Sequence, residues 1–419
     1  MNRPLAGVCL LAGALTAGCN AAAPRPVAVP APTATISTNL PGRFVTVGRG
    51  PVTSTRTTDV AVFRGRDGRD YALTGTFGNC TGCVANKVFA WDVTDPAHPV
   101  RTDSVVTDAK IVNDVTVNAE GTLAIATREM AQSRRNGILI LDLSNPAHPR
   151  QAAEFWETVT GGVHNAVIEG HYAYLADVGT ASMVVVDLSD LRDPVQVGHW
   201  GLPNRPGAYL HDLFVKDGLA YLAYWDDGLV ILDVGKGIKG GTPQSPKLVS
   251  QFRYRTEWHG QKYGNTHFAF PYTNRAGKSY VFVGDEILPP GADLTKRFET
   301  GGYIHVIDLT NIEDPVEVAT YDIPGGGVHN FWVANDTLYT AAYAAGVRAV
   351  DVSGDLRGSL RNREIAAMVT NADSATAFLP NLPMAWAAVP YRGNVFITDF
   401  NSGLWVARVE PKTGPAAAP

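Results

Sequence analysis

A short hydrophobic run closing on aspartate recurs six times along the chain, and few folds accept such a pattern. The copies are Val88-Phe-Ala-Trp-Asp-Val-Thr-Asp-Pro, Gly137-Ile-Leu-Ile-Leu-Asp-Leu-Ser-Asn-Pro, Met183-Val-Val-Val-Asp-Leu-Ser-Asp, Gly228-Leu-Val-Ile-Leu-Asp-Val, Gly302-Tyr-Ile-His-Val-Ile-Asp-Leu-Thr and Gly346-Val-Arg-Ala-Val-Asp-Val-Ser. Their aspartates are Asp92, Asp142, Asp187, Asp233, Asp308 and Asp351, spaced by 43 to 50 residues apart from the longer step from Asp233 to Asp308. Self-similarity at that period marks a unit that cannot bury its apolar face alone and must stack on its neighbours.

Each unit has one internal order. A short strand opens it (His164-Asn-Ala-Val-Ile), a second follows a polar turn (His171-Tyr-Ala-Tyr-Leu-Ala-Asp), the aspartate-closed run is the third, and a fourth follows proline (Pro194-Val-Gln-Val-Gly). Runs of four to six Val, Ile and aromatic residues, punctuated by Asp-Pro and Gly, are strand and turn signals, and no stretch sustains a helical period. The aspartate after each third strand is read as a turn residue bonding nearby backbone amides.

Opening strands fall near Asp59, Asn113, His164, His211, His267, His329 and Trp386, which gives seven units. The expected fold is all-β, a seven-bladed β-propeller of four-stranded antiparallel blades. The last unit lacks a proline-led fourth strand, and an unpaired edge is a liability. The segment Arg43-Phe-Val-Thr-Val-Gly has strand character and is expected to close that blade from the N-terminal side.

The repeat resembles the LVIVD-repeat family of bacterial β-propellers, named for runs such as Leu229-Val-Ile-Leu-Asp. The likeness covers most of residues 43–410 and implies the propeller fold, with little chemistry attached.

The ends of the chain carry a different signal. Arg3, an apolar run from Val8 to Ala17, and Leu15-Thr16-Ala17-Gly18-Cys19 read as a lipoprotein signal peptide over residues 1–18. The last five residues resemble a bacterial lipobox, with Thr16 where leucine is more usual. The resemblance implies Cys19 as the lipidated first mature residue, and Asn20 after it implies the outer membrane. The alternative is an ordinary secretory signal cleaved nearby. Residues 19–42, rich in Ala, Pro and Thr, read as an extended tether, residues 43–410 as the propeller, and 411–419 as a disordered tail. A formal net charge of -5 supplies no basic field, so nucleic acid is not an expected partner.

In a propeller, the loops entering the inner strands and the loops between strands two and three share one face. Four units open in the same register with Val163-His164-Asn165, Leu210-His211-Asp212, Thr266-His267-Phe268 and Val328-His329-Asn330. The others carry Thr58-Asp59, Asn113-Asp114 and, in the seventh, Met384-Ala385. Two readings stay open. Neutral imidazoles on neighbouring blades are candidates to gather one divalent transition-metal ion. Alternatively each histidine bonds an adjacent backbone group and recurs because the repeat was copied.

The same face carries Asp177, then Tyr224, Trp225 and Asp226, an insertion with Trp258, and the long excursion from Asp285 and Glu286 to Gly301. Long loops on a rigid scaffold are where binding resides. Tyr224, Trp225, Asp177 and Trp258 are ligand-binding candidates, and Asp285, Glu286 and Asp226 are acid/base candidates. Cys80 and Cys83, in Asn79-Cys-Thr-Gly-Cys, lack the following histidine of covalent haem attachment and are expected as a loop disulfide in an oxidising compartment. No phosphate loop, nucleophile elbow or His-Glu-x-x-His motif appears in the sequence. The expected function is a noncatalytic, membrane-tethered module that binds a protein, glycan or small molecule through the histidine-bearing axial face. The alternative is a metal-dependent enzyme using the same histidines.

Overall fold

The computed structural model describes residues 39–78, 85–203, 208–254, 265–323 and 325–412. They form seven antiparallel sheets arranged as the blades of a propeller, and the only helix among them is a three-residue 3-10 turn, Arg361–Arg363. The inner strands are Arg56–Arg64, Val115–Val117, Val163–Glu169, Leu210–Lys216, Thr266–Thr273, Phe331–Ala334 and Ala385–Tyr391. Six blades add their second, third and fourth strands in sequence order. Blade 5 gains a short parallel fifth strand, Gly358–Ser359.

Both faces of each blade are covered by neighbouring blades, so the second and third strands read as continuous apolar runs instead of alternating ones. Ile138, Ile140, Leu175, Val184 and Val186 bury together between blades 2 and 3, and Leu229, Ile231, Val281 and Val283 between blades 4 and 5. At roughly 25 cal/mol per Å² of apolar surface, such interblade contacts are the main stabilising term.

The glycine that opens several third strands has a steric cause. Gly137 has φ +110° and Gly228 φ +80°, and a Cβ at either would lie 2.2 Å from the carbonyl oxygen of the fourth strand, Phe155 and Phe252 respectively. At the other end, the repeat aspartates cap the turn. Asp142 accepts the Ser144 N–H at 2.8 Å, Asp187 that of Ser189 at 2.8 Å, and Asp308 that of Thr310 at 2.7 Å. Asp233 accepts four backbone N–H groups, from Gly235, Gly237, Lys239 and Gly241. Burial raises its pKa, but those four donors outweigh it and bring the carboxyl to about 2.

Blade 7 closes as its missing strand required. Gly42–Pro51 pairs antiparallel with Gly403–Pro411 and supplies the outermost strand, from Gly42 opposite Pro411 to Pro51 opposite Gly403. The strand is longer than the sequence segment Arg43–Gly48, with a bulge between Thr46 and Gly48.

Candidate functional site at the axis

Residues at the entry to the inner strands, within or just before them, form a belt around the axis: Thr58, Asn113, His164, His211, His267, His329 and Trp386. In most blades the ladder shifts register at this point, as between Val163 and Ala166, Leu210 and Asp212, or Thr266 and Phe268. A bulge re-aims a side chain that strict alternation would send elsewhere. Blade 7 shifts between Ala385 and Ala387, so its belt residue is Trp386, two positions beyond the Met384 that the sequence pattern suggests.

The belt is stitched in one direction. Thr58 Oγ1 donates to the Val112 carbonyl at 2.6 Å, Asn113 Nδ2 to His164 O at 3.2 Å, His211 Nδ1 to His267 O at 3.1 Å, and His329 Nδ1 to Trp386 O at 2.7 Å. His267 Nδ1 faces the His329 backbone in the same sense but falls short of hydrogen-bond geometry. The imidazoles follow one another as neighbours, with ring centroids 4.5 Å apart for His164 and His211, 4.3 Å for His211 and His267, and 4.5 Å for His267 and His329. Trp386 continues the row 3.8 Å beyond His329 and stacks on Phe400.

All four histidines are buried, 3% to 9% exposed. Burial, and then the adjacent imidazoles, push His211 and His267 well below the ordinary histidine pKa, and burial does the same to His329. His164 differs. Burial lowers it too, but its Nδ1 sits 2.8 Å from the Glu129 carboxylate, and that charge with those of Glu286 and Asp114 carries it above the ordinary value. His164 Nε2 is also taken, at 3.2 Å, by Asn113 Nδ2.

The fifth blade's excursion contributes the remaining donor. Glu286 is buried, and burial raises its carboxyl to about 8 while the His164 charge opposes the shift. It is hydrogen-bonded by the Tyr343 hydroxyl. One ring nitrogen each of His211 and His267 and one Glu286 carboxylate oxygen all lie within 4.8 Å of one another. With the Nδ1 proton of His211 committed to a carbonyl, its Nε2 carries the lone pair. Two neutral imidazoles and a carboxylate form a donor set for a divalent first-row transition ion. Leu294 and Phe298 of the same excursion pack with Tyr343, Trp386 and Phe400 and close this end of the axis with apolar surface.

The other candidates are placed as follows. Trp225 is buried against His211, at 5.0 Å between rings. Tyr224 points into the blade core, its hydroxyl accepting the Leu202 N–H at 3.3 Å. Asp177 is buried in its own turn, accepting from Gly179 N and from Thr180 N and Oγ1. Asp226 is half-buried in the turn after Trp225. Asp285 faces away from the belt and bonds His305 Nε2 at 2.8 Å. Trp258, Cys19, Cys80 and Cys83 lie outside the described residues.

Glu129, Tyr343 and Trp386 were not singled out as site residues by sequence. Glu129 could have been found by alignment of the loops, because it follows its second strand directly, as Trp225, Glu286 and Phe400 follow theirs.

The fold and belt define the chain as a repeat-built β-propeller with a polar belt around its axis. The family model for the LVIVD repeat matches residues 133–155, 160–200 and 207–253, so the chain carries LVIVD repeats. No curated protein matches the sequence. Among solved structures, the β-propeller domain of Myceliophteria thermophila Cps50 (Swd1) is similar at TM-score 0.54 and 11% identity, over 88% of this chain and 99% of that one. The C-terminal WD40 domain of Sif2 is similar at TM-score 0.51 and 13% identity, over 89% of each chain. The computationally designed Ika8 protein is similar at TM-score 0.51 and 8% identity, over 84% of this chain and 96% of that one. These likenesses are of fold alone.

Proposed function

We propose that the chain is a noncatalytic binding module of the bacterial cell envelope whose axial cluster holds one divalent first-row transition ion, with His211, His267 and Glu286 as ligands. The observation that carries the reading is the approach of these three buried donors to within 4.8 Å of one another. The two histidine readings are not exclusive, since in His211 one ring nitrogen bonds the backbone and the other is left for a ligand. His164, held by Glu129, and His329, its ring tilted against Trp386, flank the ion. The apolar roof of Leu294 and Phe298 supports enclosure of an ion over capture of a protein or glycan at this face.

The test is metal content after exposure of the purified, chelator-stripped protein to Zn(II), Cu(II), Ni(II) or Fe(II). About one equivalent of one of these is expected to survive dialysis, with a raised melting temperature. His211→Ala, His267→Ala and Glu286→Gln should each lower affinity ten- to a hundredfold or more. Folded wild-type protein that retains none of the four ions would overturn the reading.

Envelope tethering rests on Leu15–Cys19 and the Ala/Pro/Thr-rich stretch after it. Among the described residues no helix is long and apolar enough to cross a membrane. The lipid chain on Cys19 would then be the anchor, and Cys19→Ser should move the protein from the membrane to the soluble fraction. A variant that stays membrane-bound would remove the anchor.

A further inference from the structure

The axis has a second, open end. Beyond the histidine belt a cavity of about 520 Å³ widens towards the turns joining first and second strands, where Arg64, Asn118 and Tyr391 line its mouth. Its floor is set by the residues one position after the belt in blades 1, 2, 3 and 6: Asp59, Asp114, Asn165 and Asn330, which are 6%, 4%, 6% and 4% exposed. Phe214, Trp332 and Tyr391, all half-buried, stand in its walls.

The floor is acidic, and its carboxylates are bonded to backbone and amide groups. Asp59 Oδ1 accepts the Val60 N–H at 2.7 Å, Asp114 Oδ2 accepts the Ala166 N–H at 2.9 Å, and Asn330 Nδ2 reaches Asp59 Oδ2 at 3.4 Å. No arginine or lysine among the described residues is paired with either aspartate. Arg64 and Arg392 at the rim are drawn to Asp70 instead, at 3.5 and 3.7 Å. Burial and mutual repulsion push Asp59 well above the carboxylate range, and burial raises Asp114 to about 6. The two carboxyls titrate as a pair, and Asp59 holds its proton more tightly than Asp114. An independent observation points to a missing donor: Asn330 Oδ1, in the same floor, is buried and has no hydrogen-bond partner. A buried acceptor left unmade costs about 1–3 kcal/mol unless a ligand supplies the hydrogen bond.

We propose that this funnel binds a small organic ammonium ion, its N–H groups on Asp59, Asp114 and Asn330 Oδ1 and its apolar part against Phe214, Trp332 and Tyr391. Aromatic faces attract a cation electrostatically, and the neighbouring carboxylate supplies the counter-charge. A hard metal cation is a poor fit, since it wants six or more oxygen ligands and the aromatic walls of Phe214, Trp332 and Tyr391 offer few. The His164 charge already acts on Asp114, and an ammonium would add a counter-charge from within the funnel that a neutral ligand lacks. The funnel lies on the other side of the belt from Glu286, so it stands or falls separately from the metal reading.

The probe is 2-phenylethylammonium, titrated calorimetrically into the purified propeller at pH 7.5, with 2-phenylethanol as its neutral analogue. Saturable one-to-one binding of the ammonium is expected, with the alcohol at least about tenfold weaker, a difference of about 1.4 kcal/mol. Asp114→Asn and Trp332→Ala, each checked for native circular dichroism, should weaken the ammonium at least about tenfold. The double variant His211→Ala, His267→Ala should bind it as wild type does, which separates this site from the metal cluster. Equal binding of the alcohol, absence of saturable ammonium binding to folded wild type, or indifference of both Asp114→Asn and Trp332→Ala would each overturn the proposal.

Discussion

Asp285 and Glu286 are chain neighbours with opposite fates, because successive side chains of a strand leave on opposite sides. Glu286 turns to the axis. Asp285 turns into blade 5, where His305 is held between it and Glu317, both at 2.8 Å, beneath a parallel Tyr254 ring at 4.0 Å. Burial lowers the His305 pKa, but the two carboxylates outweigh it and raise it to about 9. In the unfolded chain the same group titrates near about 6.5. Its stabilising contribution is therefore complete below about pH 6.5 and is lost as pH rises through about 9, worth about 3 kcal/mol. Urea unfolding of wild type and His305→Gln between pH 6 and 9.5 checks this. The difference in unfolding free energy should be greatest at the acid end and shrink as the pH rises. A difference independent of pH would show that His305 is not charged in the fold.

At the scale of elements, legibility followed the strength of the local signal. The third strands were the most readable because steric and hydrogen-bonding demands mark one or both ends, glycine against the fourth-strand carbonyl and aspartate over the turn amides, as Gly137 and Asp142 show. The inner strands were readable in place but not always in phase. The bulge at the belt breaks alternation, so only a repeated residue could reveal which side chain turns inward. Histidine did so in four blades. In blade 7 nothing in the sequence distinguished Trp386 from Met384, and the tertiary register decided it. The second-strand ends show the same limit. Tyr224 and Trp225 are equally aromatic in sequence, but only Trp225 lies on His211, while Tyr224 completes the blade core beside Trp200. Carboxylates were hardest to sort. Asp177 caps a turn, Asp59 and Asp114 floor a cavity, and Glu129 holds His164. Those roles depend on which blade stands opposite, a contact that no local window contains.

For the whole molecule, the decisive element is the strand that joins the two ends of the chain. Gly42–Pro51 lies on Gly403–Pro411, Lys412 N–H donates to the Pro41 carbonyl at 2.9 Å, and the packing continues into blade 1, with Val52, Trp91, Leu404 and Val406 in one cluster. Residues 42 and 411 pair at the end of blade 7 where third strands meet their turns, the face on which the Asp59–Asp114 funnel opens. The chain therefore enters the propeller at residue 42 on the funnel side, and the histidine face points the other way. The geometry also makes ring closure a non-local contact, formed only after the intervening blades are in place. Deleting residues 42–51 would bare the Gly403–Pro411 edge and remove one wall of the blade 7 to blade 1 cluster. That loss should lower the melting temperature by about 10 °C or more, on the scale of a few degrees per kcal/mol for large domains. A synthetic peptide of residues 42–51 added in excess should restore much of it, since the edge it pairs with is otherwise intact. An unchanged melting temperature in the truncated chain would show that the seven blades hold their ring without the clasp.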